Sequence, residues 1–225
     1  MIIFIPIKKN SQRVPNKNFR NFGGAPLYKH TLYKLRNEVV YVDTDSDDLI
    51  NDISKDSNLK NVIAFKRQGS LIGDSVSVCD LIRSFIISNN ISNEYICQMH
   101  VTSPFINLDI INDAYMKIDD GYNSVASCNK IKARLWRNES YGYCPVNHNP
   151  MRLEQTQDLP DYYVENSAFY IFNSDIFLKN KLRVGDNPYF YEIGFPYNLD
   201  IDTECDWDMC IDINNFLRKN EATRE

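Results

Sequence analysis

The sequence predicts an α/β fold with a doubly wound, mostly parallel sheet. Short apolar runs rich in β-branched residues recur along the chain, as is typical of strands buried on both faces. Helical patterns separate these runs, and regular alternation of strand and helix favours a parallel sheet covered by helices. The predicted strands are Met1–Ile7, Val39–Val42, Val62–Phe65, Tyr95–Val101 and Ser124–Ser127, and the predicted helices are Pro26–Leu35, Ser46–Ser54, Ser75–Ser88 and Leu108–Ile118.

The alternation breaks after Cys128. Residues from about Asn129 to Glu165 are rich in Arg, Asn, Pro and Tyr and have no clean period. This stretch is too long for a simple connection, so we expect a functional excursion or an oligomer contact inserted into one domain that spans residues 1–225. The alternation then resumes with a strand at Ser167–Phe172, a helix near Ser174–Lys179, a strand at Leu199–Asp202 and a last helix from about Thr203 to Lys219.

Composition excludes several classes of protein. A net charge of −5 over 225 residues argues against a general nucleic-acid surface, because phosphate backbones are bound through excess Lys and Arg. The six cysteines form no C-x-x-C pair, which predicts reduced thiols, and Cys144 with His148 lacks the further ligands that zinc needs. No apolar run approaches the roughly 20 residues that span a bilayer, so we expect a cytoplasmic protein without a membrane segment.

Polar and cationic residues follow the first strand directly. Ligands of open α/β sheets bind at the carboxyl ends of strands, so this loop is the first candidate site. Cations and loop amides here could neutralise a triphosphate, although on charge alone a solvated basic loop is the alternative. The residues are Lys8, Lys9, Asn10, Ser11, Gln12, Arg13 and Lys17. Neither G-x-x-x-x-G-K-[ST] nor G-x-G-x-x-G occurs, so a P-loop fold and a dinucleotide oxidoreductase are unsupported.

Two carboxylates near the end of the chain form a second candidate site. In the predicted strand Leu199–Asp202, Asp200 and Asp202 project from the same face while the apolar residues between them are buried. Adjacent carboxylates repel each other unless a cation lies between them, and Mg²⁺ is bound by one or two carboxylates together with substrate phosphates. The alternative is that the pair only caps the helix that follows.

A third acidic cluster, Asp43 to Asp48, follows the second predicted strand. It is not a calcium loop, because Asp48 replaces the required Gly and Ser54 replaces the required Glu. An Asp-nucleophile phosphatase remains an alternative, with Asp43 attacking phosphate and Asp45 acting as the acid. Helix capping by Ser46 is the favoured interpretation. Elsewhere, Gln98 and His100 alternate onto one face after the fourth strand, where they could recognise a base or a sugar.

In order and spacing, the chain resembles the cytidylyltransferases that activate acidic sugars, of the acylneuraminate (CMP-sialic acid synthetase) type. The resemblance extends from the first strand to the last helix. The matching motifs are Ile5-Pro6-Ile7 with Ser11, Arg13, Pro15 and Lys17-Asn18; Gly24 with Pro26-Leu27; Thr44-Asp45-Ser46; Arg67 with Asp74 and Ser77; Thr102-Ser103-Pro104-Phe105; Gln157-Asp158-Leu159-Pro160; Glu165-Asn166; and Asp200-Ile201-Asp202-Thr203-Glu204.

The resemblance implies a Rossmann-like nucleotidyltransferase fold, a homodimer, and a reaction of CTP with a 2-keto sugar acid that gives a CMP-sugar and pyrophosphate. It implies that residues 129–165 form the dimerisation segment and lend residues to the partner's site. The anomeric hydroxyl would attack the α-phosphate, assisted by an Asp or a metal-bound water. The implied catalytic residues are Lys17, Asp200 and Asp202, with Mg²⁺ on Asp200 and Asp202; the nucleotide-binding residues are Lys8, Asn10, Ser11, Arg13, Lys17, Asn18, Arg67 and Ser77; and the acceptor-binding residues are His100, Gln155 and Asn166.

The chain departs from the family pattern at particular positions. Lys8 replaces Arg, Gln12 replaces Lys, His100 replaces Gln, Gln155 replaces Arg and Ser167 replaces Gly. An Arg fork grips a carboxylate with two hydrogen bonds and Gln cannot, so the acceptor need not be sialic acid itself. Pseudaminic, legionaminic and Kdo-like acids, a phosphonate or other non-sugar acid, and a non-catalytic nucleotide-binding homologue remain alternatives.

Overall fold

The computed structural model describes residues 1–222, with side chains up to Asn220. The strands are β1 (Ile2–Ile7), β2 (Asn21–Phe22), β3 (Ala25–Pro26), β4 (Val40–Thr44), β5 (Val62–Lys66), β6 (Tyr95–Met99), β7 (Ser124–Ile131), β8 (Trp136–Glu139), β9 (Gly142–Pro145), β10 (Tyr162–Asn173) and β11 (Pro188–Glu192). The α-helices are α1 (Leu27–Leu32), α2 (Asp47–Lys55), α3 (Val78–Ser88), α4 (Leu108–Asp119), α5 (Ser174–Asn180) and α6 (Glu204–Ala222).

A seven-stranded sheet in the order β11-β7-β10-β6-β1-β4-β5 forms the centre of the molecule. β1 pairs in parallel with β4 and β6, β4 with β5, and β7 with β11. Among the seven strands of this sheet in residues 1–222, β10 is the one that runs antiparallel to its neighbours, β6 and β7. The predicted doubly wound, mostly parallel sheet is therefore confirmed.

Side-chain alternation along β1 divides the core between the two faces of this sheet. Ile3, Ile5 and Ile7 lie in a cluster with residues of α1, α2 and α4, whereas Phe4 packs with residues of α3 and α5. All four of these β1 side chains are fully buried. Burial on both faces explains why the first strand is a continuous apolar run and not an alternating one.

The predicted strand at Leu199–Asp202 is wrong. The segment belongs to no sheet. Its Ile201 N–H donates to the Thr102 carbonyl at 2.9 Å, and its Leu199 N–H donates to the nearby Pro196 carbonyl at 3.2 Å. Ile201 is buried in a third cluster with Val14 and Trp207. The apolar alternation in this segment therefore indicated burial of one side chain beneath the site and not strand pairing.

Other boundaries also differ from the predictions. β11 was not predicted and adds an edge strand beside β7, while β10 begins at Tyr162, five residues before the predicted start. The excursion is therefore shorter than the predicted segment 129–165, because it runs from the end of β7 to the start of β10. It contains the two-stranded β8–β9 hairpin. No helix within residues 1–222 is long and apolar enough to cross a membrane.

Candidate active site

Two adjoining cavities lie where the parallel strands end. β1, β4, β5 and β6 present their carboxyl ends to one edge of the sheet, and the antiparallel β10 brings its amino-terminal half to the same edge. The first cavity, of about 380 Å³, is lined by the loop after β1 and by the start of α3. The second, of about 530 Å³, is lined by the start of β10 and by the acidic segment before α6. Both include Arg13, Lys17, His100 and Thr102 in their walls.

The loop after β1 lies along the first cavity. Most of the proposed nucleotide-binding residues line it, namely Lys8, Asn10, Ser11, Arg13, Lys17, Asn18 and Arg67. Across the opening, Asp74 accepts from Gln12 Nε2 at 2.7 Å and lies 3.4 Å from Lys8 Nζ. Asn18 is buried, and its Oδ1 has no partner among residues 1–222. A buried acceptor without a partner is one that a ligand donor can satisfy.

Lys17 is a buried cation at the junction of the two cavities. It begins a 3₁₀ turn after Asn16, whose φ of 53° is in the left-handed region that Asn adopts more readily than most residues. The Lys17 ammonium donates to the carbonyl of Ile201 and lies 3.9 Å from Asp202 Oδ1. Burial lowers the pKa of Lys17, and the nearby Asp200 and Asp202 carboxylates oppose that shift. The ammonium thus lies between the loop and the acidic pair.

Asp200 and Asp202 lie in the wall of one cavity, although not on a strand. Asp202 Oδ1 lies 2.7 Å from Arg13 NH2, and Asp200 accepts from Ser103 Oγ at 3.4 Å. Both line the second cavity. Burial raises the pKa of Asp200. A hydrogen bond from the Thr102 side chain lowers this pKa, and the nearby Asp202 carboxylate raises it further. The two carboxylates therefore lie in the second cavity beside Arg13 and Lys17, which line both cavities.

The donor set fits a hard divalent cation held jointly with a ligand. No group of three or more His, Cys, Asp or Glu side chains within the described residues could hold a metal alone. Mg²⁺, however, keeps several waters and is bound by one or two carboxylates together with substrate phosphates. Asp200 and Asp202 supply those carboxylates beside a cation-lined cavity.

Asp43 does not have the surroundings of a phosphatase nucleophile. Its side chain is 4% exposed and pairs with Arg67, whose Nε donates to Oδ1 and whose NH2 donates to the Asp43 carbonyl at 3.2 Å. Burial raises the pKa of Asp43, and the Arg67 pair opposes that shift. Asp45 accepts a hydrogen bond from the Lys9 backbone at 2.6 Å, and Ser46 caps α2 as expected. The phosphatase alternative is not favoured.

The second cavity contains two of the three predicted acceptor residues, His100 and Asn166. Asn166 Oδ1 accepts from Ser127 Oγ at 2.6 Å, and its Nδ2 donates to Asn129 Oδ1 at 2.9 Å, so the amide is fixed. Gln155 lies outside both cavity walls, in the excursion, where its Oε1 accepts from Gln157 Nε2 at 2.7 Å.

Ser77 also lies outside both walls. It is the N-cap of α3. Its Oγ accepts a hydrogen bond from the Asp80 backbone N–H, and the Asp80 carboxylate accepts one from the Ser77 backbone N–H. The role of Ser77 in nucleotide binding therefore stays a prediction. Val76, Val78 and Leu81 also line the first cavity, which the sequence does not reveal, since an apolar cavity wall and an apolar helix face have the same pattern.

Residues 2–223 match the family model described as Cytidylyltransferase. The chain belongs to this family. The predicted resemblance to acylneuraminate cytidylyltransferases is supported by curated relatives of that name. The chain is 29% identical over 206 residues to N-acylneuraminate cytidylyltransferase A of Danio rerio, covering 88% of this chain and 46% of the relative. It is 25% identical to the Streptococcus agalactiae enzyme of that name, covering 92% of this chain and 51% of the relative.

The chain therefore spans about half the length of these acylneuraminate relatives. It covers 90% of a pseudaminic acid cytidylyltransferase of Campylobacter jejuni at 23% identity, with 90% of this chain matched. Among solved structures, a CMP-2-keto-3-deoxy-manno-octonic acid synthetase complexed with CTP superposes with a TM-score of 0.65 at 14% identity, covering 95% of this chain and 98% of that one. This likeness establishes the shared fold.

Proposed function

We propose that this cytidylyltransferase couples CTP to an acidic 2-keto sugar, giving a CMP-sugar and pyrophosphate. One observation carries the proposal: the cation-lined cavity and the acidic cavity have Arg13, Lys17, His100 and Thr102 in common. Two substrates bound in adjoining cavities can contact each other where the cavities have these residues in common, and group transfer needs such contact. The names of the relatives, which describe acylneuraminate and pseudaminic acid cytidylyltransferases, supply the substrate class.

The triphosphate occupies the first cavity in this proposal. Lys8, Ser11, Arg13 and Lys17 contact its phosphates, and the unpartnered Asn18 Oδ1 accepts a hydrogen bond from a nucleoside donor group. Fixed cations stabilise the charge that develops on departing pyrophosphate. Val76, Val78 and Leu81 give the same cavity an apolar wall against which a base can pack.

The acceptor occupies the second cavity, with His100 and Asn166 in its wall. Its hydroxyl oxygen forms a bond to the α-phosphorus as the bond from that phosphorus to the bridging β-oxygen breaks, and pyrophosphate leaves. Asp200 and Asp202 would hold Mg²⁺, which supplies Lewis-acid neutralisation of phosphate charge when bound. The acceptor proton passes to a carboxylate of this pair or to a water that the bound metal would hold.

The decisive measurement is pyrophosphate release from CTP and Mg²⁺ across a panel of 2-keto sugar acids and phosphonates, repeated with UTP, ATP and GTP. We expect release with CTP and a sugar acid, and a loss of at least about 100-fold in Asp200→Asn. Asp208→Asn, which changes an exposed carboxylate on α6, is the matched control and should retain full activity. Absence of release with every pair of substrates would refute the proposal.

We also propose that two copies of the chain associate through the excursion. Its apolar side chains are unusually exposed: Tyr141 is 79%, Met151 92% and Leu153 89% accessible. Exposed apolar patches of this kind mark protein–protein contacts. Light scattering should give a dimeric mass, and Met151→Glu with Leu153→Glu should shift it towards the monomer. A monomeric mass for the wild-type protein at micromolar concentration would refute this proposal.

A further inference from the structure

Three side chains form a hydrogen-bonded chain behind the second cavity. Arg183 NH1 donates to Gln98 Oε1 at 2.6 Å, and Gln98 Nε2 lies 3.0 Å from His100 Nε2. Gln98, in β6, is fully buried. The guanidinium of Arg183 also stacks over the ring of Tyr170 at 3.8 Å. The Arg183–Gln98–His100 chain is therefore fixed at its outer end by both a hydrogen bond and a ring contact.

The chemistry of Arg183 determines the direction of every bond in this chain. A guanidinium has only donors, so the Gln98 atom that faces it must be the amide oxygen. The Gln98 amide nitrogen then faces His100 and donates to it. The Nε2 atom of His100 accepts this bond and carries no proton, so a neutral imidazole must hold its proton on Nδ1.

The Nδ1 atom is left available to a ligand. Nδ1 has no hydrogen-bond partner among the residues described, and it is not fully enclosed by protein atoms. His100 lines both cavities. Burial lowers the pKa of His100 to about 4; the charges that act on it are Arg183 and Lys17, which lower it further, and Asp202, which opposes them. The imidazole is therefore neutral near pH 7.

We propose that Arg183, acting through Gln98, holds His100 as a neutral Nδ1–H donor that selects acceptors presenting an oxygen lone pair at this point of the second cavity. This inference rests on the proposed function and assigns Arg183 and Gln98 as positioning residues. A Gln side chain can turn either its donor or its acceptor to a ligand, whereas His100 offers only a donor. A carboxylate, carbonyl or hydroxyl oxygen is accepted here, and an ammonium or amide N–H is rejected.

The tautomer can be measured without any substrate. The chain contains three histidines, so side-chain ¹⁵N spectra are simple, and the His100→Gln variant assigns the His100 signals. We expect a neutral Nδ1–H tautomer in the wild-type protein. Arg183→Met keeps an apolar contact with Tyr170 but frees the Gln98 amide, so the two tautomers should mix. Arg183→Lys keeps a donor-only group and should restore Nδ1–H, and Arg83→Met, at an exposed site on α3, should change nothing.

A protonated Nε2 or an imidazolium in the wild-type protein would overturn the inference, as would a pure Nδ1–H form in Arg183→Met. Kinetics then tests selection. In Arg183→Met, KM for the acceptor should rise about tenfold, the cost of one misdirected hydrogen bond, while KM for CTP is unchanged. An equal rise in both KM values would indicate a merely structural role. If no acceptor reacts with the wild-type protein, the proposed function fails, and the spectra still decide the tautomer.

Discussion

Replacement of Arg67 by Met should destabilise the protein strongly, because it leaves a carboxylate buried without its partner. The Arg67 and Asp43 side chains are 1% and 4% exposed, and Arg67 contacts both the carboxylate and the carbonyl of Asp43. Removing one member of such a pair costs about 3–5 kcal/mol of the free energy of unfolding. For a chain of this length, that loss corresponds to a melting temperature about 6–20 °C lower.

Urea unfolding followed by circular dichroism measures this loss. A second change, Asp43→Asn in the Arg67→Met background, removes the unpaired charge and should recover most of the stability. The matched control is Lys66→Met, which breaks the exposed pair of Lys66 Nζ and Asp47 Oδ1, 2.8 Å apart, and should cost less than about 1 kcal/mol.

The deficit of Arg67→Met should also depend on pH. Burial already raises the pKa of Asp43, and loss of the opposing arginine raises it further. A carboxyl group whose pKa is raised in the folded state favours folding when protonated, and this contribution is lost as the pH rises through the folded-state pKa. The deficit relative to the wild-type protein should therefore be larger at neutral pH than under mildly acidic conditions.

A loss below about 1 kcal/mol in Arg67→Met, accompanied by loss of CTP binding, would refute this reasoning. That result would make Arg67 a freely available phosphate ligand and not one half of a structural pair. A loss of unfolding free energy in Arg67→Met that grows as the pH falls would also contradict this reasoning. It would show that Asp43 is stabilised in its charged form by groups other than Arg67.

Three further changes test individual residues. Lys17→Met should lower kcat for pyrophosphate release about 100-fold, because a fixed cation beside the leaving group is lost. A decrease in kcat below threefold, about 0.65 kcal/mol, would contradict a role of Lys17 in stabilising the leaving group. Ser77→Ala should cost about 1 kcal/mol in urea unfolding through loss of the α3 cap; a large rise in KM for CTP would instead support nucleotide contact. Ser167→Gly should raise the free energy of unfolding by up to about 1 kcal/mol, because Ser167 has a φ of 60°, which glycine adopts without strain. A marked destabilisation would instead show that the hydrogen bond between Ser167 Oγ and Tyr170 OH, 3.2 Å apart, contributes more stability than the strain costs.

Much of the sheet could be predicted because its strands are buried on both faces. β1 and β4 are rich in β-branched residues, β6 is apolar apart from Gln98, and burial agrees with the sequence pattern in all three strands. β11 was missed because an edge strand that begins at Pro188 and consists mainly of aromatic residues lacks that pattern. Leu199–Asp202 was mistaken for a strand because the burial of Ile201 produces the same alternation without a partner strand.

The site could be predicted where residues directly follow a strand. The loop after β1 follows this rule, and the structure brings it together with Asp200 and Asp202. Arg183 could not be found in this way, because it lies in a polar stretch after α5 and reaches His100 only through Gln98. Ser77 shows the opposite case, in which a residue at a motif position caps a helix that borders the cavity.

The direction of β10 determines which part of the chain can alter the proposed acceptor cavity. Because β10 is antiparallel, the excursion leads straight into Glu165 and Asn166 in the wall of the second cavity, whereas the loop after β1 lies on the opposite side of β6. Under the proposed function, insertions, deletions and substitutions in the excursion can therefore remodel the acceptor side without altering the loop after β1. One reversed strand separates the part of the fold that such changes reach from the part that they leave untouched.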